Sequence, residues 1–183
     1  MRSKLSQSWK RLALGGAVAA MTASSAFAAT QGTPGADSTG SVDISISVDD
    51  IVQINGLQDA LFGTYSGGNP TDTQEVCVSR SGTSGLYQII ARGSGGGDAF
   101  ELSGPGGTVA YTVEWADETT APVFATLDTG VAETGQTGGD NAFDSCAGAG
   151  ENASLRIAMN GPDVAALSAG TYSGTLSLEV SPE

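Results

Sequence analysis

Apolar and polar residues alternate one by one along several separate stretches of this chain, and that pattern restricts its fold more than any other feature. Val42, Ile44, Ile46 and Val48 alternate with Asp43, Ser45 and Ser47. Val109, Tyr111, Val113 and Trp115 fall on one face, Leu155, Ile157 and Met159 alternate with Arg156 and Ala158, and Leu176, Leu178 and Val180 alternate with Thr175, Ser177 and Glu179. A period of two is what a strand shows when one face is buried and the other is wet. Gln74 to Ser79, Leu86 to Arg92, Ala99 to Leu102 and Pro122 to Leu127 add further β signals, and Leu61-Phe62-Gly63-Thr64-Tyr65 reads as a short edge-like strand. Helical character is confined to Asp163 through Leu167, about one turn. Many short strands, 27 glycines and almost no helix signal predict an all-β antiparallel β-sandwich.

The first 28 residues stand apart from that fold. Arg2, Lys4, Lys10 and Arg11 precede an apolar run from Leu12 to Met21, and Ala26-Phe27-Ala28 offers the small residues of a signal-peptidase site. Gly15 and Gly16 interrupt the run, which is shorter than the roughly 20 apolar residues a spanning helix needs. The expectation is a signal peptide over 1–28 and a soluble, exported chain starting at Ala29, with no direct membrane insertion. Residues 29–41, rich in Thr, Gly, Ser and Ala, read as a flexible leash. Residues 42–183 then form one domain, with 42–48 as its first alternating strand.

Charge narrows the partners. The leader holds four of the seven basic residues and none of the 20 acidic ones, so the exported part sets three arginines (Arg80, Arg92, Arg156) against 20 carboxylates, a net charge of −17. Such a surface repels phosphate backbones and anionic lipid, which excludes nucleic acid as a partner. The plain reading of the acidity is solubility, or life in salty or calcium-containing surroundings.

The complete absence of histidine removes the commonest general base and zinc ligand. Asp49 and Asp50, adjacent in an extended segment, point to opposite faces and do not pair for acid–base work. Glu114, Asp117 and Glu118 lie close in sequence without a catalytic spacing, so no catalytic residue is assigned and the chain is not read as an enzyme. Gly97-Asp98 and the Asp140-Asn141…Asp144 stretch offer hard oxygen ligands to calcium but lack the EF-hand spacing, and solvated loop carboxylates are the plainer reading. No metal site and no cofactor is assigned. Asn152-Ala153-Ser154 fits the glycosylation sequon. The glycine run from Gly93 to Gly97 has no following helix to make a phosphate cradle. Residues 128–150 read as a long loop that a short strand or a disulfide would organise. Cys77 and Cys146 both lie in the exported part, where an oxidising compartment favours their pairing, with a metal pair or a reactive thiol as the alternatives.

In this order the elements resemble subunits of chaperone–usher pili, especially the archaic class with its Csu-type pilins and spore-coat-U-like domains. Gly40-Ser-Val-Asp-Ile-Ser-Ile-Ser-Val48 is similar to the N-terminal donor segment of such pilins, and Leu61-Phe62-Gly63-Thr64-Tyr65 to their early Phe-Gly strand. Val76-Cys77-Val78 followed by Leu86-Tyr87-Gln88-Ile89 resembles their cysteine-bearing strand and the next one. Ala169-Gly170-Thr171-Tyr172-Ser173-Gly174-Thr175-Leu176 resembles the Gly-Thr-Tyr turn into the final strand. One departure is clear. Archaic pilins often place a cysteine just after the donor segment, where this chain has Asp49-Asp50, so the family's disulfide position does not carry over and Cys77 must pair elsewhere, with Cys146.

The resemblance implies an immunoglobulin-like sandwich missing its last strand, filled first by a periplasmic chaperone and then, at an outer-membrane usher, by the N-terminal segment of an identical or related pilin. Val42, Ile44, Ile46 and Val48 would be the plugs. Val109, Tyr111, Val113 and Trp115 are expected in the core, and Phe62, Tyr87, Tyr172, Leu176, Leu178 and Val180 in the core or lining the groove. The product would be a fimbria on the cell surface serving adhesion or biofilm formation. The same alternation also suits a self-contained secreted sandwich, a surface or matrix protein that does not polymerise and that calcium could steady, in which residues 42–54 pair at home as the first strand.

Overall fold

The computed structural model describes residues 29–81, 86–141, 143, 147, 148 and 150–183. The leader expected over 1–28 lies outside them. The chain divides into two units, 1–46 and 47–183. In the first, Thr30 and Ser41 exchange backbone hydrogen bonds of 2.9 and 3.0 Å across an antiparallel bridge.

In the second unit, alternation sorts the strands into two antiparallel sheets. The strands are β1 (Val52–Asn55), β2 (Thr71–Arg80), β3 (Tyr87–Arg92), β4 (Glu101–Gly104), β5 (Gly107–Ala116), β6 (Ala125–Thr126), β7 (Ala132–Gln136), β8 (Ala153–Met159) and β9 (Ser177–Pro182), with one short helix, α1 (Gly161–Ala165). One sheet runs β1-β2-β8-β5-β4, with β6 also on β5, and the other runs β7-β3-β9. Set against an immunoglobulin-type sandwich, β1, β2, β8 and β5 stand in the order A-B-E-D, while β3 and β9 take the places of C and F. Among the described residues no strand takes the place of G.

The core sits between the sheets. Val76 and Val78 from β2, Val109, Tyr111, Val113 and Trp115 from β5, and Leu155, Ile157 and Met159 from β8 pack in one cluster with Tyr87, Ile89 and Ala91 from β3. β5 shows why its sequence makes a strand here: every second residue from Val109 to Trp115 is buried and those between are more exposed. Each large apolar side chain so buried contributes about 1.5–3 kcal/mol. Phe100 extends the cluster beside Tyr111, with ring centroids 5.6 Å apart.

Several segments depart from the sequence expectation for local reasons. Leu61–Tyr65 forms no strand: Gly63 has φ +67°, Phe62 turns in to pack against the core, and the Tyr65 hydroxyl donates to the Gly161 carbonyl at 3.0 Å. Residues 128–150 include β7, and a parallel bridge joins Ser79 to Asp140. The segment before β9 is a buttress rather than a strand. Gly106 N–H donates to the Tyr172 hydroxyl at 2.9 Å, which donates to the Ser168 carbonyl at 3.1 Å. A Cβ on Gly104 would lie 2.6 Å from the Tyr172 ring, so this turn needs glycine for close approach.

The glycosylation reading of Asn152 is overturned. Its side-chain amide accepts from Val78 N–H and donates to Val78 C=O, both at 2.9 Å, and Ser154 is buried with its hydroxyl on the Glu118 carbonyl. The amide therefore acts as an extra rung of the β2–β8 ladder, and the sequon presents no free acceptor.

Candidate functional site

Unpaired strand edges are the places where another chain can add, and folded proteins normally guard them. Two edges here are guarded. β4 is covered where Ser103 and Ser173 exchange backbone bonds of 2.9 and 3.0 Å. β7 is bent by Gly135, at φ +74°, whose N–H is taken by the Glu183 carboxylate at 3.0 Å.

β9 is different. It pairs with β3 over its full length, Ser177↔Arg92 to Pro182↔Tyr87, and among the described residues nothing pairs with its other edge. Leu178 and Val180 of β9, with Leu176 just before it, are half-buried, each leaning on the core cluster with one side uncovered. β1, the end strand of the other sheet, comes close to β9 without pairing to it and leaves Val52 and Ile54 half-buried in the same way. The two sheets thus end side by side at an apolar edge that neither closes. Tyr172 and Phe62 are also half-buried against the cluster, whereas Tyr87, Val109, Tyr111, Val113 and Trp115 are fully interior.

The leading segment has the complementary property. Val42, Ile44, Ile46 and Val48 are 67, 90, 89 and 79% exposed, and residues 42–51 form no strand. The strand expected over 42–48 is therefore absent from the isolated chain. Alternation prescribes a face to bury, but a strand exists only where a second backbone supplies hydrogen bonds.

The charged side chain within β9, Glu179, is already paired. Arg92 on β3 reaches Glu179 of β9 at 3.2 Å and Asp98 at 3.7 Å. Arg156 pairs with Glu114 on the outer face of the larger sheet and stacks over Phe124, 4.0 Å from the ring centre. The hydrogen bond from Arg156 holds the Glu114 carboxyl below the usual carboxylate range and raises the guanidinium in return. Deeper in, burial pushes the Tyr87 hydroxyl far above the usual tyrosine range, beside a Trp115 indole N–H with which it closes no normal hydrogen bond.

Cys77 is buried on β2, its sulfur 3.7 Å from the Ser79 hydroxyl, and its expected partner Cys146 lies outside the described residues. Among the described residues no three carboxylate or cysteine groups are placed to hold a metal ion. Asp98, one of the calcium candidates, faces Arg92 instead; Asp144 lies outside. Among the same residues no helix is long and apolar enough to cross a membrane.

No protein-family model matches this chain, and no curated protein does. Among solved structures it is similar to a chain of the chaperone–tip adhesin complex of CFA/I fimbriae, at 15% identity and a TM-score of 0.49. The likeness covers 72% of this chain and 42% of that one, so the chain spans well under half of its neighbour's length.

Sequence reasoning singled out the β9 side of the open edge through Leu176, Leu178 and Val180, and missed the β1 side. Val52 and Ile54 are a single alternating pair, too short a signal to mark a lining wall.

Proposed function

We propose that this chain is a non-catalytic structural subunit of a surface fimbria of the chaperone–usher type, polymerising when residues 42–48 of one copy pair along β9 of the next. The observation that carries the reading is the match between an exposed alternating segment and an unclosed apolar edge within one sequence. Entering beside β9, such a strand would satisfy the free backbone groups of that edge and cover Leu178, Val180, Val52 and Ile54 with its own apolar face. Four plugs, each worth roughly 1.5–3 kcal/mol when fully buried, would hold one copy to the next. Before assembly the same edge needs a substitute strand, and a periplasmic chaperone with delivery to an outer-membrane usher is the route the resemblance supplies. The archaic subclass rests on the resemblance of the Gly40–Val48 and Gly170–Leu176 segments alone. Export through the periplasm, a Cys77–Cys146 disulfide, and service in adhesion or biofilm formation belong to the same proposal.

The test is to move residues 40–50 to the C-terminus through a short linker. Folding as a stable monomer, melting well above the native order, is the expected result. A transplanted chain no more stable than the native one, together with a native chain that stays monomeric, would refute the reading in favour of a self-contained sandwich.

A further inference from the structure

If the leading segment could fold back into the edge of its own domain, it would be lost to neighbours, and the junction at Asp49–Ile51 bears on whether it can. Ser81, just past β2, ties this junction three times. Its N–H donates to the Ile51 carbonyl at 2.8 Å, its hydroxyl accepts from Ile51 N–H at 3.0 Å, and the same hydroxyl reaches the Asp49 carbonyl at 3.3 Å. The Ile51–Ser81 pair continues the β1–β2 register, in which Val52 faces Arg80. Asp49 and Ile51 are therefore held beside Ser81 at the start of β1, and Val48, the last plug, follows directly.

Strand direction gives this tie a consequence. β9 ends at Pro182 opposite Tyr87, Tyr87 also faces Gln136, and the Arg80 guanidinium donates to the carbonyl of the next residue, Thr137, at 3.4 Å, so β9 finishes at the pole where β1 begins opposite Arg80. Segment 42–48 could enter its own edge beside β9 only by running toward that pole and reversing through residues 49–51 into β1. The Ser81 ties oppose that reversal.

We propose that Ser81 is a positioning residue that keeps residues 42–48 from closing on their own domain and so reserves them for a second copy. The inference rests on the donor reading above and adds what selects the neighbour over self. Ser81→Ala removes both side-chain ties and keeps the backbone bond; Ser81→Thr restores the hydroxyl. The experiment follows the full-length exported chain by size-exclusion chromatography over a range of concentrations, and measures uptake of a labelled peptide of residues 40–50 by the monomer fraction.

S81A should raise the concentration-independent, peptide-refractory monomer by roughly fivefold to tenfold, the equilibrium shift expected from about one net hydrogen bond. S81T should return it to the wild-type level. Wild-type chain that polymerises and takes up peptide, with S81A identical to it, overturns the role of Ser81 alone. Wild-type chain that neither polymerises nor takes up peptide overturns the donor reading and this inference together.

Discussion

Replacing Ile44 by Ala and, separately, Ser45 by Ala in a peptide of residues 40–50 separates a buried plug from its wet neighbour. Ile44 is 90% exposed in the isolated chain, so nearly all of its side chain is available to be buried on docking. Truncation to Ala removes three carbons at about 0.8 kcal/mol each, roughly 2.4 kcal/mol, and at 1.4 kcal/mol per decade that weakens binding about 50-fold. Ser45 lies on the opposite face of the period-two pattern and should change affinity by less than about threefold. Fluorescence anisotropy with labelled peptide and the unaltered full-length chain reads both numbers, and only the peptide is varied, so misfolding of the domain cannot mimic the effect. Equal affinities for the two peptides, or a larger loss at Ser45, would refute the assignment of the even-numbered residues as plugs.

Three further outcomes follow from the interior. Because burial raises the Tyr87 hydroxyl, both states hold its proton below pH about 10; above it the unfolded chain ionises first, and stability should fall by up to about 1.4 kcal/mol per pH unit. Urea midpoints from pH 8 to 11 check this, and Tyr87→Phe should flatten the slope, leaving the part that belongs to Tyr111, also raised by burial. Asn152→Ala takes the amide acceptor from Val78 N–H, while the Val78 carbonyl keeps Asp140 N–H, and should cost about 1–3 kcal/mol in chemical denaturation; expression in a glycosylating host should leave residue 152 unmodified by mass spectrometry. Gly161→Ala places a Cβ 2.1 Å from the Gly68 carbonyl oxygen and should destabilise by about 1–3 kcal/mol in thermal melts, whereas Gly96→Ala, with nothing within 4 Å, should stay within about 0.5 kcal/mol.

β5 and β8 were legible because their alternation coincides with burial at Val109 to Trp115 and Leu155 to Met159. β7 was not. Ala132-Glu-Thr-Gly-Gln carries no apolar alternation, and its place comes from backbone pairing with β3. Leu61–Tyr65 had strand-like composition, but Gly63 takes a left-handed turn and Tyr65 is drawn to Gly161. For the site, the sequence disclosed the alternation of residues 42–48, proposed above as plugs, and one wall of the edge. It could not disclose their partner, since a period of two specifies that a face is to be buried without saying against what. The guards on β4 and β7 were equally hidden, because Ser103–Ser173 and Gly135–Glu183 are contacts between residues far apart in the chain.

Those two guarded edges have a consequence for geometry at larger scale. With β4 capped and β7 bent away, the proposed donor reading gives each molecule, among the described residues, one place to receive a strand, between β1 and β9, and one strand to give, a valence of two. Head-to-tail contacts of that kind make open threads or rings. Assembly of this protein by strand addition would be unbranched, and its length would be set by how often a free end meets a fresh copy.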